Sequence, residues 1–283
     1  MEHKRKHWIG LLLLLPLCFL ACYPVWFLCS GSLMGSVQLK DALAPVLGSR
    51  EGYVSFPVMP LYPTLRHYVA LLLDSPEFFQ MFWNSVRFAG GILLGQLCVS
   101  VPAAWGFARF EFLGKRALFL LYLVLMMMPF QVTMLSGYLV LDTLKLLDTR
   151  WAIILPGVFS TFPVFLMYRF FEGIPEALIE SAKLDGAGSW QIFLRVGLPL
   201  GSSGILSAMV LGFLEYWNLI EQPLTYLKDK TLWPLSLYLP QIGLEQAPEA
   251  FVSSVAALIP AFLVFLAGRD YLEQGIVAAA IKE

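Results

Sequence analysis

Residues 8–28 read WIGLLLLLPLCFLACYPVWFL, an apolar stretch with no charged side chain. A helix needs about 20 mostly apolar residues to cross the hydrocarbon core of a bilayer. Because Lys4, Arg5 and Lys6 come just before it, the stretch begins like a secretory signal, but it is longer than the roughly 7–15 apolar residues of such signals. We therefore predict that 8–28 is an uncleaved membrane-spanning helix.

The whole chain has the composition of a membrane protein. Of its 283 residues, 58% are hydrophobic and 14% are charged, whereas soluble domains have about 45–50% apolar and about 25% charged residues. The net charge of −1 leaves no basic surface to neutralise phosphates. Membrane lipid is therefore an expected partner, and nucleic acid is not.

Five further stretches have the length and composition of membrane spans. With 8–28 they predict an all-α integral membrane protein, a single domain over 1–283 whose other transmembrane helices are 83–104, 117–140, 151–168, 200–220 and 251–271. Pro129 with Gly137 in the third span, and Pro156 with Pro163 in the fourth, predict kinks because proline removes a helical hydrogen bond. The prediction is thus six transmembrane helices, two of them kinked.

Lysines and arginines predict which segments face the cytoplasm. They are densest in alternate short segments: Lys4, Arg5, Lys6, Arg109, Lys115, Arg116, Arg169, Lys183, Arg195, Arg269 and Lys282. By the positive-inside rule, both termini and the loop 169–199 are then cytoplasmic. Residues 31–82 become an external loop, broken by prolines, with a short helix at 64–73. This loop either caps the outer side, tethers two spans or offers a surface to a partner.

Cys18, Cys22, Cys29 and Cys98 lie in apolar stretches, without a C-x-x-C pattern or a histidine at ligand spacing. Such cysteines are typical packing residues. Cys18 and Cys22 share a helical face, which leaves a ligand pair as the minor alternative. No metal site is predicted.

The cytoplasmic loop contains FEGIPEALIESAKLDGAG at 171–188. Pro175 suits the first position of a helix, and Glu176 and Glu180 suit its early turns because they face the positive end of the helix dipole. Gly186 and Gly188 are typical of a helix end. The loop is therefore predicted to form a short helix with a firm stop.

A second segment of the loop is expected to begin at Ser189 as its N-cap, and Pro199 is expected to mark the start of the fifth span. The first helix would present small or apolar residues beside charged ones, which suits docking in a partner's groove. An interfacial helix on the lipid headgroups is the alternative, although such helices usually carry more basic residues than Lys183 alone. The spacing does not decide between the two.

Glu180-Ser181-Ala182, then Gly186 and Leu198-Pro199, resembles the signature loop of the permease subunits of binding-protein-dependent ABC importers. The family pattern has Glu-Ala-Ala, so Ser181 departs from it, and Val196 occupies its hydrophobic position. Further blocks of the chain resemble the carbohydrate-uptake branch, the class of the smaller maltose-permease subunit: Asn84-Ser85, Ala103-Ala104, Phe107-Ala108-Arg109-Phe110, Gly114-Lys115-Arg116, Met128-Pro129, Gln131-Val132, Asp185-Gly186-Ala187, Trp217-Asn218, Ile259-Pro260 and Phe265. The tail 275–283 departs from the family ending.

The resemblance implies a pore-forming permease subunit of an ATP-driven importer in the bacterial cytoplasmic membrane, with a sugar or oligosaccharide as solute. Its implied partners are a companion permease subunit, a dimer of ATP-binding subunits and an extracytoplasmic solute-binding protein. The residues implied to dock the ATPase are Glu180, Ser181, Ala182, Asp185, Gly186 and Ala187. Asp185 either caps the following segment or pairs with a basic residue of the partner.

This chain itself is not expected to be an enzyme. It lacks the G-x-x-x-x-G-K-[ST] phosphate-binding loop, since its only Gly-Lys pair is Gly114-Lys115 and Arg109 stands where the first glycine would be. No cofactor is predicted for this chain. The resemblance assigns ATP and magnesium to the partner ATPase.

Candidates for the solute path are Glu215, Trp217 and Asn218 in the fifth span, because an ionisable residue inside a membrane usually faces a cavity or a partner. Glu215 is near the outer third of its span, so reaching to the outer interface is the alternative. Gln96 and Gln131 are expected to hydrogen-bond between helices. In the alternative, most contacts with the solute are made by the companion subunit.

Other functions remain open from the sequence. A polyol, glycerol phosphate or another polar solute fits the same spans. A secondary transporter would have inverted repeats and coupling-ion carboxylates or histidines near the midplane, of which the spans hold almost none. A non-transporting membrane scaffold is the third reading, and co-purification of an ATPase would discriminate it.

Overall fold

The computed structural model describes residues 2–48, 53, 59–238 and 245–280, with side chains described from residue 14 to residue 273 within these ranges. Lys282, part of the basic pattern above, and residues 49–52 and 54–58 of the predicted external loop lie outside the described residues. Over the described residues the chain is almost entirely helical, and the only extended pairing there is an isolated bridge between Met34 and Pro63.

The first eight helices are α1 Glu2–Ser32, α2 Ser36–Leu47, α3 Arg66–Asp74, α4 Pro76–Arg109, α5 Lys115–Met126, α6 Phe130–Thr143, α7 Trp151–Val158 and α8 Thr161–Glu172. The remaining helices are α9 Glu176–Leu184, α10 Ser189–Ile192, a π-helix Phe193–Gly197, α11 Leu198–Leu200, α12 Ser202–Trp217, α13 Glu221–Tyr226, two 3-10 turns at Lys230–Leu232 and Leu235–Leu237, and α14 Ala247–Ala280.

Four helical stretches are long and apolar enough to cross a membrane: Leu14–Ser32, Pro76–Arg109, Trp151–Glu172 and Ala247–Glu273. Two pairs of helices meet the same test only when they are taken together, and both are sharply bent. Lys115–Met126 meets Phe130–Thr143 at 106°, and Ser189–Leu200 meets Ser202–Trp217 at 66°. The described chain therefore has four candidate spans, or six if each bent pair is one span.

The predicted third span, 117–140, is one of these bent pairs, and its bend lies at the predicted kink site Pro129. The predicted fifth span, 200–220, corresponds to the single helix α12, and its bend lies just before Ser202. At the first bend, Pro129 has an extended backbone with φ −68° and ψ 150°, and α6 begins only after it. Proline lacks the N–H that would continue α5. In the fourth span the interruption lies at Phe159 and Ser160, between the predicted kink sites Pro156 and Pro163.

The chain divides into two compact units, one formed by 1–79 with 238–259 and the other by 80–237 with 260–283. In the first unit, α3 lies where the sequence predicts a short helix. The helix α2 was not predicted, because Pro45 was expected to interrupt this segment, yet Pro45 lies in its last turn. Leu39 and Leu43 of α2 are buried in an apolar cluster with Met34, and this burial favours the helix. The helix α4 also begins at Pro76, before the predicted end of the external loop.

In the second unit, glycines allow α4 and α7 to approach closely. A Cβ atom at Gly95 would overlap the Val158 side chain, and one at Gly157 would lie 2.8 Å from Ile92. Small residues at helix interfaces are the usual means by which membrane helices pack, since lipid provides little hydrophobic driving force between them. The contact between α4 and α7 therefore depends on the absence of side chains at these positions.

Replacing Gly95 by leucine is expected to destabilise the second unit by about 1–3 kcal/mol, because the new side chain overfills a packed interface. Gly90→Leu is the matched control: it lies on the same helix, and a Cβ there meets nothing within 4 Å. Thermal unfolding of the detergent-solubilised chain, followed by fluorescence-detected gel filtration, measures both. Equal melting temperatures for the two variants would contradict the packing.

Candidate functional site

The loop 169–199 forms the predicted short helix, α9, and the end of this helix has a defined geometry. Gly186 has a φ of +80°, its N–H donates to the Lys183 carbonyl at 3.0 Å, and the N–H of Ala187 donates to the Ala182 carbonyl at 3.0 Å. These two bonds are those of a Schellman motif, in which glycine takes the left-handed conformation after the last turn. Gly186 is thus the stop of α9, as the sequence predicts.

Two details of the loop differ from the prediction. Pro175 is the N-cap of α9, with an extended ψ of 133°, and Glu176 is the first helical residue. Gly188 is the N-cap of α10 in place of Ser189, and its N–H donates to the Gln191 side chain at 3.0 Å. The glutamine thus accepts from the N–H of the N-cap residue, which is the contact of the third helical residue in a capping box.

The second segment also continues further than predicted. It runs as one α-helical turn, a π-helix over Phe193–Gly197 and a short turn at Leu198–Leu200. Pro199 lies within that last turn, and α12 begins only at Ser202, after Gly201. A Cβ atom at Gly201 would overlap the Phe171 ring, so the bend between α11 and α12 lies against α8.

The predicted ATPase-docking residues lie on two sides of α9. Ala182 and Ala187 are half-buried and pack against an apolar cluster that includes Ile179, Trp105 and Phe193. The others are exposed: Glu180, Ser181, Asp185 and Gly186. Beside them, Leu184 exposes 89% of its surface. We define the exposed set Glu180, Ser181, Leu184, Asp185 and Gly186 as the docking face.

Arg109, the last residue of α4, holds the turn between α8 and α9. One nitrogen of its guanidinium donates to the Glu176 carboxylate at 2.8 Å, and another donates to the backbone carbonyls of Phe171, at 2.6 Å, and of Ile174. The guanidinium carbon lies 5.7 Å from the centre of the Trp105 ring, and only 11% of the side chain is exposed. The planar guanidinium of arginine holds its N–H donors in a fixed arrangement, so it can bond to several acceptors at once better than the ammonium group of lysine.

Sequence reasoning did not find this role of Arg109. It noted the residue only in a family-like block and among the cytoplasmic basic residues. Its partners lie more than sixty positions further along the chain, and no local spacing predicts such contacts. The available signal was an arginine directly after a long apolar helix, where its charge must find partners.

A second feature of the same unit is a cavity of about 670 Å³. Its walls include residues from places where helices are interrupted or end: Met128 and Phe130 at the bend between α5 and α6, Phe159 and Ser160 between α7 and α8, and Glu215 and Tyr216 near the end of α12. Interrupted backbone at membrane depth is tolerated where it is buried in protein or lines a water-filled cavity. The breaks therefore mark a candidate passage.

The three predicted path residues do not share this cavity. Glu215 lines it, together with its neighbour Tyr216, which the sequence did not single out. Trp217 is 4% exposed and stacks on Phe213 with ring centres 5.4 Å apart. Asn218 is exposed, and its amide donates to the Leu214 carbonyl of its own helix at 2.8 Å.

Gln96 links three helices at the wall of the cavity. Its side-chain nitrogen donates to the Gly157 carbonyl on α7 and to the Tyr216 hydroxyl on α12, both at 2.8 Å. This is the interhelical hydrogen bonding that the sequence predicts for it. Gln131 behaves similarly, since it donates to the Glu221 carboxylate at 2.6 Å.

Helices that combine interrupted spans, a cavity between the breaks and an exposed helix on a connecting loop are the architecture of a transport permease. Residues 97–278 match the family described as binding-protein-dependent transport system inner membrane component, and the chain belongs to that family. The predicted resemblance to permease subunits of ABC importers is thereby confirmed.

Two relatives and one solved structure show what the chain is similar to. The arabinooligosaccharides transport system permease AraQ of Bacillus subtilis is 27% identical over 96% of this chain and 94% of its own length. The sn-glycerol-3-phosphate transport system permease UgpE of Yersinia pestis is 28% identical over 72% of this chain and 74% of its own. A bacterial ABC transporter involved in the import of alginate, an acidic polysaccharide, has the same fold, with a TM-score of 0.79, 20% identity, and coverage of 96% and 98%.

Proposed function

We propose that this chain is one of two pore-forming permease subunits of an ATP-driven importer in the bacterial cytoplasmic membrane, with six crossings and both termini cytoplasmic. The observation that carries the proposal is the docking face on α9, held in place by Arg109 and ended by the Schellman motif at Gly186. The family match supports it. A sugar or oligosaccharide is the proposed solute, since AraQ is a permease for arabinooligosaccharides.

In this proposal a separate dimer of ATPase subunits binds ATP and magnesium and receives α9 in a surface cleft. Closure of the dimer around ATP moves α9, and the spans alternate between inward and outward openings. A companion permease forms the other half of the pore, and an extracytoplasmic binding protein delivers the solute. This chain contributes the docking face and part of the passage.

The docking face has the chemistry for a cleft with a basic rim. Glu180 and Asp185 are exposed carboxylates on either side of the exposed Leu184. Lys183 lies 3.9 Å from Glu176, so its charge is partly balanced within α9. Charge complementarity at the rim of such a contact sets orientation, while the apolar centre contributes the burial.

Replacing Glu180 by lysine is expected to lower the amount of ATPase that co-purifies with the permease at least about tenfold, because a like charge facing a basic rim costs several kcal/mol. The variant should remain folded and inserted, since Glu180 is exposed and lies in the interior of α9. The measurement is the ratio of ATPase to permease after affinity purification from membranes. Unchanged co-purification would remove the docking role.

Gly186→Leu is expected to have the same effect by a different cause. A Cβ at Gly186 meets nothing within 4 Å, but the φ of +80° disfavours a branched side chain by about 1–2 kcal/mol. The control is Gly186→Asn, because asparagine tolerates this conformation. Retention of ATPase by the asparagine variant and loss by the leucine variant separates backbone geometry from side-chain size.

Glycerol phosphate is a second candidate solute, favoured by the similarity to UgpE. It differs from a sugar in carrying negative charge. The charge of the groups that line the cavity therefore bears on whether the solute is a sugar or glycerol phosphate.

A further inference from the structure

The cavity between the broken helices is lined by a single acidic side chain. Among the described residues that line it, Glu215 is the one ionisable carboxylate, and none is a lysine, arginine or histidine. Charged residues inside a membrane are costly and usually mark a functional site. A lining with a carboxylate and no cation gives the cavity a negative potential.

The remaining polar groups of the lining are neutral. They are hydroxyls and an amide, which both donate and accept hydrogen bonds: Thr133, Ser136, Ser160, Thr161, Tyr216, Gln222 and Tyr226. Aromatic rings form other parts of the wall: Phe130, Phe159, Phe162 and Tyr226. A polyhydroxylated solute presents hydroxyl groups and apolar C–H faces, so this combination of rings and neutral polar groups suits it.

Part of the polar wall is held in position before any solute arrives. The Tyr216 hydroxyl accepts a hydrogen bond from Gln96, which is fully buried. This contact holds the phenol beside Glu215. A pre-positioned wall binds its ligand without the cost of ordering side chains.

We propose that Glu215 makes this cavity a passage for uncharged polyhydroxylated solutes and excludes anionic ones such as phosphates and uronates. The proposal rests on the function proposed above and narrows its solute class. An anion entering the cavity would approach the Glu215 carboxylate, and repulsion between like charges at a protein surface is several times stronger than in bulk solvent. A neutral sugar donates its hydroxyl hydrogen bonds to the same carboxylate.

The potential of the cavity can be measured without knowing the solute. Ser136 lines the cavity and is exposed within it, and Ser136→Cys changes only the side-chain heteroatom. Cys18, Cys22, Cys29 and Cys98 are replaced by alanine in the complete transporter complex. A thiol reagent with a trimethylammonium group and one with a sulfonate group are then compared, and labelling is read from the mass of this chain.

A space of this volume is only about 10 Å across, comparable to the Debye length of about 10 Å at 0.1 M salt. With Glu215 present, the rate ratio of the cationic to the anionic reagent, normalised to a free thiol, is expected to exceed about tenfold. Glu215→Gln, which keeps the shape and hydrogen-bonding capacity, should bring the ratio close to one. Glu77→Gln, an exposed carboxylate outside the lining, should leave it unchanged.

An equal ratio with glutamate and glutamine at 215 would overturn the proposal, as would failure of both reagents to label Ser136→Cys, since the cavity would then not be open to solutes. The function proposed above fails separately, by normal ATPase retention in Glu180→Lys. The last measurement is ATP-dependent uptake into proteoliposomes that hold the complete complex, with its cognate binding protein added. Arabinotriose is the neutral probe, and trigalacturonate is the anionic probe. ATP-dependent uptake of trigalacturonate by the unaltered complex would also overturn the proposal.

Discussion

Replacing Arg109 by glutamine is expected to lower both the ATPase retained by the permease and ATP-dependent uptake by at least about tenfold. The guanidinium supplies donors to two backbone carbonyls and to the Glu176 carboxylate. Glutamine is too short to reach all three, and each buried carbonyl left without a donor costs about 1–3 kcal/mol. The turn before α9 would then lose its fixed position, and the docking face with it.

The measurements are co-purification of the ATPase and uptake into proteoliposomes, and two further variants make them specific. Arg116→Gln is the matched control, because Arg116 is an exposed arginine in the first turn of α5 and should change neither measurement. Arg109→Lys keeps the charge but not the planar fork, so it should fall between the glutamine variant and the unaltered chain. Full retention of ATPase by Arg109→Gln would show that α9 does not depend on this anchor.

Glu215→Ala is expected to lower uptake of the neutral solute about tenfold while the ATPase stays bound. The alanine removes an acceptor of charge-assisted hydrogen bonds, which are worth about 1.5–3 kcal/mol. The docking face lies on a different helix, so the complex should assemble normally. The readouts are solute uptake and the ratio of ATPase to permease in the purified complex.

Asp142→Ala is the comparison for Glu215→Ala. Asp142 is an exposed carboxylate in the last turn of α6 and lies outside the cavity lining, so its removal should leave uptake unchanged. Asn218→Ala tests the sequence prediction that Asn218 lies on the solute path, because the Asn218 amide donates a hydrogen bond within its own helix. Normal uptake by Glu215→Ala, or equal losses in Glu215→Ala and Asp142→Ala, would remove Glu215 from the solute path.

The features that the sequence predicted well are local ones. The end of α9 was predicted from the glycine at position 186, where the backbone takes the left-handed conformation. The candidate spans were predicted from apolar stretches about as long as a bilayer crossing requires. The signature around Glu180 led to the family, and the match over 97–278 confirms it.

The features that it missed depend on contacts between distant parts of the chain. The sequence predicted a kink at Pro129 in 117–140 but not that the bend there is 106°, because a membrane helix often tolerates a proline. Tyr216 was not singled out, since its role comes from Gln96, 120 positions earlier. Trp217 and Tyr216 are adjacent, and only the rotation of α12 about its axis decides which of them meets the cavity.

The helix α4 contains both Gln96 and Arg109, so one continuous element touches the cavity wall and the base of α9. The two residues are separated by about 20 Å along the axis, at 1.5 Å per residue. Between them lies Pro102, where one helical hydrogen bond is missing and bending is easiest. A displacement of α9 would therefore be transmitted through α4 to the Tyr216 hydroxyl, and bending of α4 at Pro102 would reduce the displacement that reaches it.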